Sequence, residues 1–324
     1  MTLADPEEDA LRERLEVYVG APLGADGPAS APDPVNLPMI RHWVDAFDDQ
    51  NPIHLDEGIA PPAMLQAWTM PRPRIEGIAE RGGAPSEIAA DSALGVLDDA
   101  GYKGTLATNS ELYFERYLRC GDTLKSSAVM ESISERKVTG LGLGYFVTWV
   151  TTYTDGEGAE VGSQRFRVLK FDPSTIGAST GGSRGGGKKE KPAPPQGEKL
   201  PDFELAVTAT VIVAGAIASR DFMPVHHDRD YAKAQGAPDI FMNILTTNGY
   251  VSRYVTDWAG PEARVRSISI RLGAPAVPGL PLRFTGQVAS EARQGDEIVT
   301  DVAVRAANDL GDHATGTVVI AKPA

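Results

Sequence analysis

The chain has 324 residues, enough for two domains of ordinary size, and its 42% hydrophobic content is normal for a protein with buried cores. Its net charge of −13 argues against a nucleic-acid-binding surface, and no stretch approaches the roughly 18 apolar residues that predict a membrane span. A single cysteine excludes an intrachain disulfide and is typical of a reducing compartment. With an acidic N-terminal segment that lacks an apolar signal-peptide core, the sequence predicts a cytoplasmic protein.

The sequence of the first half predicts a short or broken helix followed by antiparallel strands. Prolines and paired glycines interrupt the segment between residues 54 and 108, which limits any helix there and leaves room in this half. Period-2 alternation then predicts strands, separated by turn residues. The predicted strands are Thr108–Arg116, Thr123–Glu135, Gly144–Thr154 and Glu160–Phe171.

Residues 174–200 divide the chain. They contain a glycine-rich run, a lysine-rich run and a proline-rich run, none of which can bury a core. We therefore expect a flexible linker between one domain of residues 1–173 and a second domain of residues 201–324.

The second half repeats the plan of the first half with a longer helix. Apolar residues recur at helical spacing from Phe241 to Trp258, and Gly260 followed by Pro261 is a stop signal. The strands predicted after it are Val265–Leu272, Leu282–Ser290, Ile298–Ala306 and Ala314–Ala321. Antiparallel strands that follow one long helix indicate an α+β fold in which the sheet wraps around that helix.

One motif, Asp-x-x-Pro-x-His, occurs once in each half. Asp49 and His54 carry the first copy, and Asp221 and His226, each 172 positions later, carry the second. A carboxylate and an imidazole five residues apart, with a proline fixing the turn between them, can converge on one water and perform proton chemistry. Asp is also a good helix cap and Asp-x-x-Pro is common turn chemistry, so a purely structural role is the alternative.

The two adjacent histidines at the end of the second motif are not expected to form a metal site. Adjacent histidines on an extended segment point to opposite faces, so His226 and His227 would not readily share an ion. Asp228 is better explained as the cap of the segment that follows. Farther along the chain, His313 lies near a Gly-Asp turn, and we expect it to be exposed.

The layout resembles the hot-dog fold, and the motif resembles that of MaoC-like (R)-specific enoyl-CoA hydratases, whose signature runs Gly-Asp-x-Asn-Pro-(Leu/Ile)-His. The first copy matches this signature from the aspartate onward, with Asp48 in place of the glycine. The second copy has Arg220 for the glycine and Met223 for the asparagine. The resemblance covers nearly the whole chain outside the linker. It implies a double hot-dog, in which two antiparallel sheets, each wrapped on a helix, pair within one chain.

Within that family, the two halves are similar to two different subunits of the steroid side-chain enoyl-CoA hydratase of cholesterol-degrading bacteria. Residues 36–43 and 104–111 resemble the large subunit, whereas residues 219–222 and 239–244 resemble the small subunit. The resemblance therefore implies a fusion of the two. The large subunit usually carries a zinc-ribbon and OB-fold module that recruits an aldolase. Because no Cys-x-x-Cys pair occurs here, the resemblance does not extend to an aldolase partner.

The resemblance implies hydration of a bulky α,β-unsaturated acyl-CoA, with CoA as part of the substrate and no cofactor. Asp221 and His226 would be the catalytic pair, since the small subunit is catalytic in the resembling heteromer. Asp49 and His54 are the second candidate pair. Members of the family bind the enolate oxygen with a backbone N–H at the start of the central helix, and the equivalent donor here is the N–H of Ile244.

Apolar residues beside the second motif are candidates for either the core or the substrate pocket. They are Phe222, Met223, Phe241 and Met242, together with the polar Asn243. The resemblance also implies a homodimer of double hot-dogs. Two other functions stay open. A hot-dog thioesterase would direct the activated water at the carbonyl carbon, and a non-catalytic scaffold would bind acyl-CoA and retain both motifs as structure.

Overall fold

The structure is a computed structural model, and it describes residues 6–23, 27–81, 83–84, 89–176 and 196–324. The helices are α1 (Pro6–Glu16), α2 (Leu37–Phe47), α3 (Pro52–Asp56), α4 (Ala93–Asp99), α5 (Ala209–Ala218), α6 (Arg229–Ala234) and α7 (Ile244–Ala259). The strands are β1 (Ala29–Ser30), β2 (Gly104–Phe114), β3 (Leu124–Ile133), β4 (Lys137–Thr139), β5 (Gly142–Asp155), β6 (Glu160–Phe171), β7 (Phe203–Leu205), β8 (Arg264–Leu272), β9 (Leu282–Gln294), β10 (Glu297–Asn308) and β11 (Gly311–Pro323). Among the described residues, no helix is long and apolar enough to cross a membrane.

The strands form one antiparallel sheet that runs through both halves of the molecule. The strand order is β1-β3-β5-β6-β2-β8-β11-β10-β9-β7, so β2 of the first lobe pairs directly with β8 of the second lobe. At this junction Leu112 lies opposite Ile268, and both side chains are fully buried. The architecture confirms the predicted α+β class.

The two lobes differ in the element that follows the Asp/His motif. In the second lobe the short helix α6 is followed by the 16-residue helix α7, most of whose side chains are buried under the sheet. In the first lobe the described part of the corresponding segment forms two short 3-10 helices, Pro62–Met64 and Gln66–Thr69, and the seven-residue helix α4. Proline lacks an N–H and its ring blocks a regular helix, which explains the interruption that the sequence predicted.

Helix α7 packs against both lobes. Gly249 on α7 lies so close to the Phe47 ring of α2 that a Cβ at this position would clash. One residue earlier, Asn248 donates a hydrogen bond to the Ser110 hydroxyl of β2 over 3.1 Å. The lobes therefore share a core, in addition to the sheet.

His313 is buried, contrary to the expectation from the turn that precedes it. Its Nε2 lies 2.9 Å from the Thr247 hydroxyl of α7, and its Nδ1 lies 2.8 Å from the Ala274 carbonyl oxygen. The turn itself ends at Gly311, so His313 already belongs to β11 and lies on its inward face. Only 2% of the residue is exposed.

Most of the predicted linker, residues 177–195, lies outside the described residues. Its last residues run beside the edge of the second lobe, where Lys199 forms a bridge with Gln287 and Leu200 is buried. The proposed boundary between the two domains stays a prediction.

Candidate active site

The second-lobe motif lies in a tight turn after α5. The chain leaves this helix through Arg220, whose φ of 60° is in the left-handed region, and the Asp221 N–H donates back to the Ala216 carbonyl over 2.9 Å. A 3-10 turn, Pro224–His226, then brings the imidazole back toward the carboxylate. As a result, His226 Nε2 lies 3.4 Å from Asp221 Oδ2.

Hydrogen-bond donors surround the Asp221 carboxylate. Asn243 Nδ2 donates to Oδ2 over 2.9 Å, and the Met223 N–H donates to Oδ1 over 3.2 Å. Burial alone would raise the pKa of Asp221, but the positive charge that His226 can carry and these donors outweigh burial and lower it. Asp221 is therefore a stable carboxylate, and 20% of its side chain is still exposed.

The protonation of the His226 ring is fixed by its second nitrogen. Nδ1 lies 2.7 Å from the Phe241 carbonyl oxygen, which can only accept, so Nδ1 carries a proton. In the neutral ring Nε2 is then an unprotonated nitrogen that faces the carboxylate. The Phe241 side chain packs edge-on against the ring, with centroids 5.1 Å apart.

The N-terminus of α7 lies beside the same carboxylate. Asn243 caps the helix by accepting the Thr246 N–H on its Oδ1 over 2.7 Å, while its Nδ2 holds Asp221. Among the described residues, none accepts a hydrogen bond from the Ile244 N–H, the first of the helix. Unsatisfied N–H groups and the helix dipole make this end favourable for a developing negative charge.

The first-lobe motif repeats the geometry of the acid and the imidazole. Asp48 has a φ of 49°, the Asp49 N–H donates to the Val44 carbonyl, and His54 Nε2 lies 3.6 Å from Asp49 Oδ2. His54 Nδ1 lies 2.8 Å from the Ile59 carbonyl oxygen, just as His226 bonds to Phe241. Burial lowers the pKa of His54, although the Asp49 charge acts in the opposite direction.

Two differences separate the lobes. Two and three residues after the carbonyl that binds the histidine, the second lobe has Asn243 and Ile244, whereas the first lobe has Pro61 and Pro62. Proline at these positions supplies neither a side-chain amide for the carboxylate nor a backbone N–H at the helix start. The Asp49 side chain is also only 6% exposed.

A cavity of about 250 Å³ opens beside Asp221, and both lobes line it. From the second lobe come Arg220, Asp221, Phe222 and Met223; from the first lobe come Met70, Pro71, Pro73, Ile78, Arg81, Gly83, Ala84, Leu94, Thr105 and Lys170. The first lobe thus supplies most of the wall, in the region where its helix is interrupted.

Of the residues that the sequence proposed for the pocket, the structure places some in the cavity wall and others elsewhere. Phe222 and Met223 line the cavity, whereas Met242 is buried in the core and Phe241 packs on His226. Asn243 has a role that the sequence pattern did not reveal, because it joins the cap of α7 to the carboxylate. The first-lobe lining residues were also missed, since they lie in distant parts of the sequence, from Met70 to Lys170, and carry no local signal.

The histidine that follows the second motif is not part of the Asp221–His226 pair. His227 is exposed and its Nε2 lies 3.1 Å from the Phe222 carbonyl oxygen. Asp228 caps α6 by accepting the N–H groups of Asp230 and Tyr231, as expected. Within the described part of the chain, no three His, Cys, Asp or Glu side chains are grouped as metal ligands would be.

Comparison with known families assigns one match to each half. The family described as MaoC-like domain matches residues 192–309, and the FAS1-like dehydratase domain region matches residues 24–164. Each half of the chain therefore matches a separate domain model.

Two relatives correspond to two kinds of subunit. The chain is 51% identical over 122 residues to the 3-oxo-4,17-pregnadiene-20-carboxyl-CoA hydratase beta subunit of Mycobacterium tuberculosis, covering 38% of this chain and 92% of that subunit. It is 40% identical over 179 residues to a probable enoyl-CoA hydratase alpha subunit of Thermomonospora curvata, covering 50% of this chain and 52% of that protein. The chain thus spans about half the length of the alpha subunit that it matches. Similarity to both subunits agrees with the predicted fusion.

Solved structures confirm the fold. A MaoC-like dehydratase superposes with a TM-score of 0.69 at 22% identity, covering 95% of this chain and 99% of that chain. A Mycobacterium tuberculosis protein described as having a double hotdog fold superposes with a TM-score of 0.56 at 15% identity, covering 96% and 97%. At such identities the likeness shows the double hot-dog architecture alone. Together with the beta-subunit match, it shows that the chain belongs to the family of MaoC-like dehydratases and enoyl-CoA hydratases.

Proposed function

We propose that the protein hydrates an α,β-unsaturated acyl-CoA to the 3-hydroxyacyl-CoA, and that Asp221 and His226 are its catalytic pair. One observation carries this proposal. An ionised, partly exposed carboxylate and an oriented imidazole meet beside a helix start whose first N–H has no described partner. Both relatives described above are named as hydratase subunits.

The two side chains are placed to share one water. A gap of 3.4 Å is too long for a strong direct hydrogen bond, so both Asp221 Oδ2 and His226 Nε2 keep the capacity to accept from a water. As the water oxygen attacks the β-carbon, its proton passes to this pair. The pair then delivers a proton to the α-carbon, so one water is added and the catalyst is regenerated.

The negative charge that forms on the thioester oxygen during this addition needs a donor. The Ile244 N–H is our candidate, because Asn243 ties the start of α7 to the Asp221 carboxylate. Stabilisation by a preorganised backbone donor is often a large part of catalysis. Pro62 stands at the equivalent position of the first lobe, so we propose that Asp49 and His54 serve structure and leave the chemistry to the second lobe.

We propose that the substrate is bulky, as a steroid side-chain enoyl-CoA is. The beta-subunit relative is named for a pregnadiene carboxyl-CoA. The cavity wall is largely apolar, and it extends into the first lobe, where the described residues form no long helix to fill the space. The cationic Arg81 and Arg220 in the same wall suit an anionic CoA ester, despite the acidity of the chain as a whole. The proposed reaction uses side chains and a backbone N–H of the protein, one water, and a substrate that already carries its CoA.

The test is to incubate the protein with a steroid enoyl-CoA and with a four-carbon enoyl-CoA. Loss of the conjugated enoyl-thioester absorbance and release of free thiol are followed in parallel. Hydration without thiol release, faster with the steroid, is expected. Thiol release without hydration would instead identify a thioesterase, and binding without either reaction would identify a scaffold.

A further inference from the structure

A lysine occupies an inward position of the first-lobe sheet that its neighbours give to apolar side chains. On β6, the side chains of Phe166, Val168 and Lys170 lie at every second position and share the buried face of the sheet. Only 2% of the lysine side chain is exposed. Burying an ammonium is costly unless the group is paired, and lysine is rarely found fully buried without a partner. The position therefore calls for an explanation.

Two of the three ammonium donors have partners in the protein. Lys170 Nζ donates to Asp98 Oδ1 of α4 and, over 2.9 Å, to the Thr105 hydroxyl on the paired strand β2. An ammonium has three N–H groups, so one remains. Lys170 and Thr105 both line the cavity into which Asp221 opens, so the remaining donor belongs to a group in the cavity wall.

The surroundings of Lys170 determine what that donor would bind. Most of the other first-lobe lining residues are apolar, among them Met70, Ile78 and Leu94. Asp98 already pairs with the ammonium, so an anion bound to the remaining N–H would lie beside the Asp98 carboxylate and be repelled by it. A neutral acceptor such as a ketone oxygen satisfies the donor without adding charge.

We propose that Lys170 is a specificity-determining residue that binds a neutral oxygen acceptor, a ring ketone, on the otherwise apolar acyl group of the substrate. This inference rests on the proposed hydratase function and adds a residue that would recognise the acyl group. The ketone and the thioester would be held by different lobes, because Asp221 belongs to the second lobe and Lys170 to the first.

The experiment compares two polycyclic enoyl-CoA substrates that differ only by one ring ketone. In the wild type, kcat/KM should favour the ketone substrate. In Lys170→Met, which keeps the chain length but removes the donor, the ratio of the two kcat/KM values should fall about tenfold or more, as expected for a hydrogen bond to a charged group. The exposed Lys125→Met on β3 is the matched control and should leave the ratio unchanged.

A second variant distinguishes an effect on folding from an effect on substrate recognition. Lys170→Met leaves the Asp98 carboxylate unpaired, so the double variant Lys170→Met with Asp98→Asn is measured as well, and it should show the same loss of preference. If the wild type does not discriminate between the two substrates, or if both substrates lose activity equally in folded Lys170 variants, the inference is wrong.

Calorimetric binding of both CoA esters distinguishes the two proposals. A ketone preference in binding without hydration contradicts the hydratase function and leaves the role of Lys170 standing. Hydration without any ketone preference would support the hydratase function and contradict the proposed role of Lys170.

Discussion

At the scale of single residues, the two motifs share a backbone turn as well as a pattern of side chains. Asp48 and Arg220, which stand where the family signature has glycine, both adopt positive φ. This conformation lets the next N–H, of Asp49 or Asp221, close back onto the preceding helix. Glycine reaches the left-handed region without steric cost, and Asp tolerates it better than Arg does.

The positive φ predicts a stability change for Arg220→Gly. We expect a gain of about 1 kcal/mol, because a non-glycine residue in this region carries a strain of that order. Arg220→Ala is the control, since it removes the same guanidinium but keeps the Cβ. Thermal unfolding of the two variants should differ by about 2 °C in favour of glycine. Equal melting temperatures would show that the turn is unstrained.

Asn243 is expected to act on Asp221 by positioning. In Asn243→Ser the hydroxyl still caps α7, but the donor to Asp221 is lost, so the pKa of Asp221 should rise. Because the carboxylate is the active form, the acidic limb of the kcat/KM profile should move to higher pH.

Asn243→Ala separates the two roles of this residue. It should show the same pH displacement and should also lose about 1 kcal/mol of stability from the missing cap. A pH profile identical to that of the wild type in both variants would exclude the positioning role.

The sequence predicted the acid and the imidazole of each pair because they are five residues apart and are brought together by a local turn. It could not predict that Lys170, Thr105 and Leu94 line the same cavity as Asp221. Their proximity depends on how the two lobes pack, and single-sequence periodicity contains no information about packing between distant segments.

At the scale of elements, α7 and the two 3-10 helices explain why one duplicated unit became two different lobes. The long strands of both lobes and the long helix followed from alternation and helical spacing. Strand β6 was found with the predicted ends, the other long strands and the helix with ends shifted by a few residues, and the short strands β1, β4 and β7 were not predicted. The break after the first motif followed from Pro61 and Pro62. What the pattern could not show is that this break removes the helix start which faces the carboxylate in the other lobe.

His313 connects α7 to β11 and predicts a pH dependence of stability. Burial lowers the pKa of His313, although its bond to the Ala274 carbonyl acts in the opposite direction. The unfolded chain takes up a proton near the ordinary histidine pKa of about 6.5, which the folded protein resists. Stability should therefore fall as the pH drops below about 6.5 toward the lower pKa of the folded state.

His313→Gln should reduce the slope of unfolding free energy against pH. Denaturant unfolding between pH 7.5 and pH 5 measures this slope, because histidine is the principal side chain that titrates in that window. Part of the slope should remain in the variant, because burial lowers the pKa of His54 as well. A slope identical to that of the wild type would show that His313 does not contribute.

At the scale of the whole molecule, the sheet is continuous across the β2–β8 junction, and the cavity is built from both lobes. The arrangement predicts that the first lobe controls which acyl groups are accepted. Leu94→Trp adds volume to the first-lobe wall, so it should reduce kcat/KM for a steroid enoyl-CoA at least about tenfold more than for a four-carbon enoyl-CoA, as a steric clash of a few kcal/mol would.

The control for this substitution is Leu310→Trp, at an exposed leucine in the turn before β11. It should leave both substrates unaffected. Equal losses with both substrates in Leu94→Trp would mean that this part of the wall does not contact the acyl group.

The resemblance to double hot-dog hydratases further predicts that two chains pair. Light scattering coupled to gel filtration should then give about twice the 34.4 kDa mass of one chain. A monomer mass at micromolar concentration would contradict the predicted homodimer and leave the site within each chain intact.

The most direct test of the central proposal is to compare Asp221→Asn with Asp49→Asn in the same hydration assay. Both variants are isosteric, and both remove a carboxylate that faces a histidine across a similar gap. We expect Asp221→Asn to lose about 10²- to 10⁴-fold in kcat, as for other general acid–base groups, and Asp49→Asn to retain hydration. Loss of activity in Asp49→Asn with an active Asp221→Asn would contradict the assignment of catalysis to the second lobe.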